Sequence, residues 1–169
     1  MAAITTLSAE QKRWHEADKV KGVDSSWKLT PPNPAATDAE IQAAEQRLAS
    51  KLDDQLKDWL RHANGWNNFS GGDSLYPASE LTRDSHERTF LLETLQINDV
   101  TPAELEMDSF DSLIVIGGNR QSYFIVTTGC GDHSRPSAPV WEIDGDHKKY
   151  ARLEEFIQST IDLMKSSKH

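Results

Sequence analysis

The hydrophobic spacing of this chain changes character along its length, and that change limits the folds open to it. From Ala36 to Asn68, in ATDAEIQAAEQRLASKLDDQLKDWLRHANGWNN, apolar residues recur three and four apart. This is the spacing of helices that bury one face. From Leu113, LIVIGGNRQSYFIVTT reads as strand, turn and strand, with Gly117-Gly118-Asn119 supplying the turn, and VWEI (Val140 to Ile143) is a third strand ending in the turn DGD. ARLEEFIQSTIDLMK then closes the chain as an amphipathic helix with Leu153, Phe156, Ile157, Ile161 and Met164 on its inner side. Helices first, strands next and a helix last predict an α+β fold: an antiparallel meander packed with N-terminal helices and a C-terminal helix.

Local signals set the element ends. Residues 1–29 read as an N-terminal helical extension capped by Ser8, with Leu7 and Trp14 to bury and with Trp27 and Leu29 against the main body. TPPNPAA has three prolines and cannot be helix. It leads into a domain spanning 30–169. Thr37-Asp38-Ala39-Glu40 matches a capping box, with Ile41, Ala44 and Leu48 on one face behind it. A second helix starts near Asp53 or Asp54, carries Leu56, Trp59, Leu60 and Ala63 as its stripe, and stops at Asn64-Gly65, both tolerant of the left-handed conformation. WNNFSGGDSLYPASEL reads as a glycine-rich loop with aromatic anchors. ERTFLLETLQI reads as a helix from Glu87 to Ile97, Pro102 as a first helical position after Thr101, and GCGDHSRPSAP as a loop.

The 169 residues suit one domain with a real core. Twenty-seven acidic and 18 basic residues give a net charge of −9. An acidic surface repels phosphate backbones, so direct nucleic-acid binding is not expected, and a basic protein partner or plain solubility fits better. Cys130 is alone, which excludes an internal disulfide and a multi-cysteine metal cage and fits a reducing cytoplasm. MAAITTLSAEQKRW lacks a basic, then apolar, leader pattern. LIVI falls far short of the ~20 residues of a membrane helix. The expectation is a cytoplasmic protein with no membrane partner.

Side chains suited to covalent chemistry do not assemble in the sequence. Cys130, Asp132 and His133 are close together, but His15, His62, His86, His147 and His169 show no ligand spacing, so no metal is expected. GGNRQ lies between strands, not ahead of a helix, and is too short for a phosphate loop. Glu154 and Glu155 are helix neighbours that point apart. The expectation is no catalytic residue and no cofactor.

Three stretches carry a resemblance. They are PPNPAATDAEIQAAEQRL; LDDQLKDWLRHANGW; and LIVIGGNRQSYFIV with VWEIDGD and ARLEEFIQSTI. Together they resemble the SUKH superfamily, which includes yeast cell-wall-assembly regulators and many bacterial immunity proteins. One departure is at the second helix start, where Asp53 stands in place of the family's Pro; Asp also suits a helix start. The resemblance implies a SUKH-like fold and a non-enzymatic cytoplasmic protein that binds another protein. In the bacterial branch this means stoichiometric blockade of a toxin from a neighbouring cell, often a nuclease. In the fungal branch it means a regulatory scaffold. A short single-domain chain looks more like the bacterial kind.

Three regions are candidates for toxin contact. Residues 84–111 carry eight acids against Arg88 alone, net −7 of the chain's −9, in a segment that the family pattern leaves free. Glu93, Asp99, Glu104, Glu106, Asp108 and Asp111 would face a basic cleft, with Phe90, Leu91 and Met107 as apolar anchors. Opposite charge can lift association toward roughly 10⁸–10⁹ M⁻¹s⁻¹. The same acids also suit a solvated helix face. Trp66 and Phe69, with Tyr76 and Asp73 near them, either offer an adaptable contact surface or plug the core. The loop GCGDHSRPSAP and the DGD turn, with Asp144 and Asp146, form the third region.

Overall fold

The computed structural model describes residues 2–166. Helix α1 (Ala2–Val20) is followed by α2 (Asp38–Leu48) and α3 (Asp54–His62), then by a hairpin of β1 (Trp66–Ser70) and β2 (Asp73–Leu75). Helix α4 (His86–Ile97) precedes β3 (Leu113–Gly118), β4 (Phe124–Thr128), β5 (Val140–Asp144) and β6 (Asp146–Tyr150), and α5 (Leu153–Ser166) closes the fold. The strands form one sheet in chain order, every neighbouring pair antiparallel. This is the expected α+β meander, with six strands where the spacing had marked three.

The capping box forms as read. The Thr37 hydroxyl accepts from the Glu40 amide at 3.2 Å, and the Glu40 carboxylate accepts from the Thr37 amide at 2.8 Å. Those two hydrogen bonds satisfy donors that the first turn leaves open. Asp53 caps α3 by accepting from the Leu56 amide at 3.1 Å, so this Asp starts the helix as expected. Ile41, Ala44, Leu48, Leu56 and Leu60 are all buried.

The end of α3 differs from the expectation. Ala63 is extended, and the left-handed residue is Gly65, with φ of 84°. The Asn64 side-chain oxygen accepts from the Ala78 amide at 2.7 Å. The Asn-Gly pair thus fastens α3 to the chain leaving β2. A side chain on Gly65 would lie 2.7 Å from the Pro77 nitrogen.

Four other expectations are corrected. Helix α1 already runs from Ala2, so Ser8 is inside it and caps nothing; Ala2 and Ala3 are strong helix formers. Leu7 is buried, and the Trp14 indole donates to the Met164 carbonyl at 2.9 Å. Trp27 and Leu29 are exposed, and their segment is held by polar groups: Asn68 donates to the Trp27 carbonyl at 3.0 Å and the Trp66 indole to the Thr30 carbonyl at 2.8 Å. Residues 66–75 form a hairpin about Gly71-Gly72, where a loop was expected. Gly117 and Gly118 lie in β3 beside a register shift, and the turn is made by Asn119, whose side-chain oxygen accepts from the Gln121, Ser122 and Tyr123 amides.

The sheet curls strongly. Phe156 on α5 lies 6.1 Å from the ring of Phe69 on β1 and 5.5 Å from that of Tyr150 on β6, so the two outermost strands meet one side chain. Register alternation puts Tyr150 and Val140 on the face that receives α5, and Phe124 and Ile143 on the other. Phe124 meets Phe90 of α4 at 6.1 Å on that second face. With both faces covered, β3 and β4 are buried throughout.

Candidate functional site

Where the curl fails to close, between the β1–β2 hairpin and the β5–β6 hairpin, a hollow of about 380 Å³ opens. Asp73 and Asp144, far apart in sequence, both line it, and Glu142 joins them. Phe69, Tyr123, Tyr150 and Leu163 supply apolar and aromatic wall. Glu142 is held at both oxygens. Oε1 accepts from the Tyr123 hydroxyl at 2.6 Å, and Oε2 accepts from the Tyr150 hydroxyl. Burial, followed by that hydrogen bond, pushes the Tyr123 phenol far up, so it stays protonated as a donor.

The hollow is strongly negative. Burial, then the nearby charges of Glu142 and Asp144, pushes the Asp73 carboxyl up to about 6. Among the described residues Lys148 is the one base lining it, and it lies 4.7 Å from the Tyr150 ring centre. Its ammonium is pushed up, first by the Tyr150 hydroxyl and then, against some burial, by the Tyr150 and Glu142 charges. Three carboxylates against one ammonium leave a place that gains from receiving a cation. Asp146 stands at the same hairpin, is exposed, and accepts from the His147 amide at 2.8 Å; it does not line the hollow.

The acids of 84–111 are distributed differently. Glu93, Asp99, Glu104, Glu106, Asp108 and Asp111 are all exposed. Several have local duties. Glu104 caps a 3-10 turn (Pro102–Leu105), accepting from the Thr101 amide at 2.6 Å, and that bond holds its carboxyl below the usual range. Glu106 pairs with Lys149 at 2.5 Å and Glu87 with Arg120 at 3.0 Å. Leu91 and Met107, expected as surface anchors, are buried in the core because α4 and the chain after it cover the sheet. Phe90 and Ile97 do reach the surface. Trp66 and Phe69 are fully buried, which removes them as exposed contacts: Trp66 is core, and Phe69 backs the hollow.

Loop 129–139 is strapped to the α2–α3 connection. Cys130 donates its amide to the Lys51 carbonyl at 2.9 Å, and Gly131 donates to the Ser50 hydroxyl at 2.9 Å. Burial pushes the Cys130 thiol up, away from nucleophilic character. Among the described residues no group of three or more His, Cys, Asp or Glu side chains is arranged to hold a metal ion.

Sequence reasoning named Asp73 and Asp144 but not Glu142, Tyr123 or Tyr150. The available signal was a carboxylate, Glu142, between the apolar Trp141 and Ile143 of the strand VWEID.

A family model for SMI1/KNR4 (SUKH-1) matches residues 35–159. The chain belongs to the SUKH-1 family. No curated protein matches it. The SUKH-1 match begins beyond α1 and ends within α5, so it takes in every strand and all three carboxylates of the hollow. SUKH-1 membership is consistent with a toxin-immunity role exercised by binding a protein partner. Among the described residues of this SUKH-1 chain, no helix is long and apolar enough to cross a membrane.

Proposed function

We propose that this protein is a cytoplasmic immunity protein that binds a cognate bacterial toxin and blocks it one-to-one, without turnover. The observation that carries this reading is the convergence of Asp73, Glu142 and Asp144 on one hollow at the open side of the curled sheet. A basic loop of the toxin enters there. A nuclease or another nucleic-acid-acting enzyme suits the charge, because its own substrate cleft must be basic. Opposite potentials speed the encounter, and the rigid phenol-held Glu142 keeps the site formed before binding. The exposed acids of 84–111 add long-range attraction. Residues 1–29 are an extension of the family domain, a division supported by the start of the match at residue 35.

Binding fits the hollow better than catalysis does. Both Glu142 oxygens already accept phenol hydroxyls, which leaves that carboxylate poorly placed to take a proton from a substrate.

The test is complex formation with the toxic module encoded beside this protein's gene. A stable one-to-one complex is expected, with association slowed by salt and by Asp73→Asn with Asp144→Asn. A wild-type protein that forms no such complex, or a double variant that associates and protects cells as well as wild type, overturns the reading.

A further inference from the structure

A second cavity, of about 210 Å³, lies between the chain leaving β2 and the start of α4, lined by Tyr76, Glu80, Thr82, Ser85, Glu87 and Val115. Tyr76 is 5% exposed, and its hydroxyl is buried with no hydrogen-bond partner. A buried hydroxyl without a partner is costly, so its retention needs a reason. Tyr76 lines the cavity, and the charged groups about its phenol are Arg120, Glu87 and Glu80. Burial pushes the phenol up to about 12, so it remains a neutral hydroxyl with a lone pair to offer.

Arg120 sits at the rim. Its guanidinium lies 4.5 Å from the Tyr76 ring centre, 2.5 Å from Glu80 and 3.0 Å from Glu87. It comes from the β3–β4 turn, with φ of 64°. One guanidinium thus serves two carboxylates and leaves a negative charge uncompensated. Arg88, the residue after Glu87, is no help: its guanidinium is turned to the carbonyls of Arg83, Phe110 and Leu113. The same α4 surface carries the exposed Phe90 three residues on and Ile97 ten residues on from Glu87, one continuous helical stripe.

We propose that this cavity is a socket for a lysine ammonium of the protein partner, held by the Tyr76 hydroxyl, Glu87 and Glu80 beside Arg120. An ammonium fits where a second guanidinium does not. It is compact and brings three donors to a cavity with several oxygen acceptors and one surplus negative charge, while Arg120 already takes the open face of the ring. Phe90 and Ile97 then meet the apolar surface around that lysine. The socket deepens the reading above, since it presumes a basic protein partner, but it stands on different residues from the hollow.

The test needs no partner. The full chain, labelled for amide NMR, is titrated with N-acetyl-lysine methylamide and, as control, the uncharged norleucine analogue. Saturable shifts are expected at Tyr76, Ser85 and Glu87 with the lysine compound alone, at a dissociation constant on the order of 10 mM. Tyr76→Phe keeps the ring and should weaken binding about tenfold, whereas Arg120→Gln removes the competing cation and should tighten it by a similar factor. Shifts scattered evenly over all acidic residues, or equal affinity in wild type and Tyr76→Phe, overturn the socket. In that event a toxin complex that still depends on Asp73 and Asp144 leaves the functional reading standing. A sound socket with no toxin complex fails that reading alone.

Discussion

Tyr123 donates its hydroxyl to Glu142 across 2.6 Å, joining the end of the β3–β4 turn to the middle of β5. With the Tyr150 hydroxyl on the other oxygen, the carboxylate is fixed before any partner arrives. Tyr123→Phe removes one charge-assisted hydrogen bond and leaves the ring, so stability should fall by about 1–2 kcal/mol in chemical denaturation. Association with the toxin should slow in parallel. An unchanged denaturation midpoint would mean that water serves the Glu142 oxygen equally well in the variant.

Asp73 gives a pH dependence of definite sign. Its folded value, about 6, lies above the ordinary 3.8, so the folded protein holds this proton more tightly than the unfolded chain does. Stability contributed by this group is therefore greatest below the ordinary value and is lost as pH rises toward 6. Asp73→Asn should raise the melting temperature at neutral pH and change it little below the ordinary value. A basic partner acts oppositely, displacing the proton, so its binding should weaken as pH falls through 6. Melting and binding measured across that window check both arms, and a variant that melts like wild type at every pH would refute the first.

Phe156 bridges the two edge strands, and its removal should be felt on both sides of the opening. Phe156→Ala is expected to cost about 3–5 kcal/mol, as for other large core truncations. Phe156→Leu should cost less and retain the fold. Equilibrium unfolding of the pair measures this, and amide exchange should show β1 and β6 loosening together.

Two glycines separate backbone strain from collision. Gly65 and Gly71 both have positive φ, but a side chain at 65 strikes the Pro77 nitrogen whereas one at 71 meets nothing within 4 Å. Gly71→Ala should therefore cost about 1 kcal/mol, the price of the left-handed conformation. Gly65→Ala should cost clearly more and disturb the Asn64–Ala78 tie. Similar losses in both would show that the chain at Pro77 yields.

The readable parts of the sequence were those with strong local grammar. Thr37 and Glu40 made the box that their spacing promised, and the inner stripe of α5 buried as read. The missed strands had no such pattern. DHKKY, as β6, is an edge strand with four exposed residues, so no alternation marks it. In β1 and β2, Asn, Ser and Gly hide a hairpin whose rings face inward. The site was half legible. Asp73 and Asp144 could be named as acids of a loop and a turn, but their meeting depends on the curl of six strands, which no local stretch encodes. The acidic run 84–111 was conspicuous because it is contiguous, yet folding assigns several of its charges to caps and ion pairs.

Because the six strands pair in chain order, each joins the sheet beside its predecessor, most through a loop of modest length and β3 across the segment that carries α4. Bringing the first strand round to the last, over Phe156, is a different kind of step, since it links segments some eighty positions apart. Beside that meeting place each edge strand has a sheet neighbour on one side only, and breathing motions would begin there. A guest lodged there acts as a clasp on both ends of the ribbon, damping that motion.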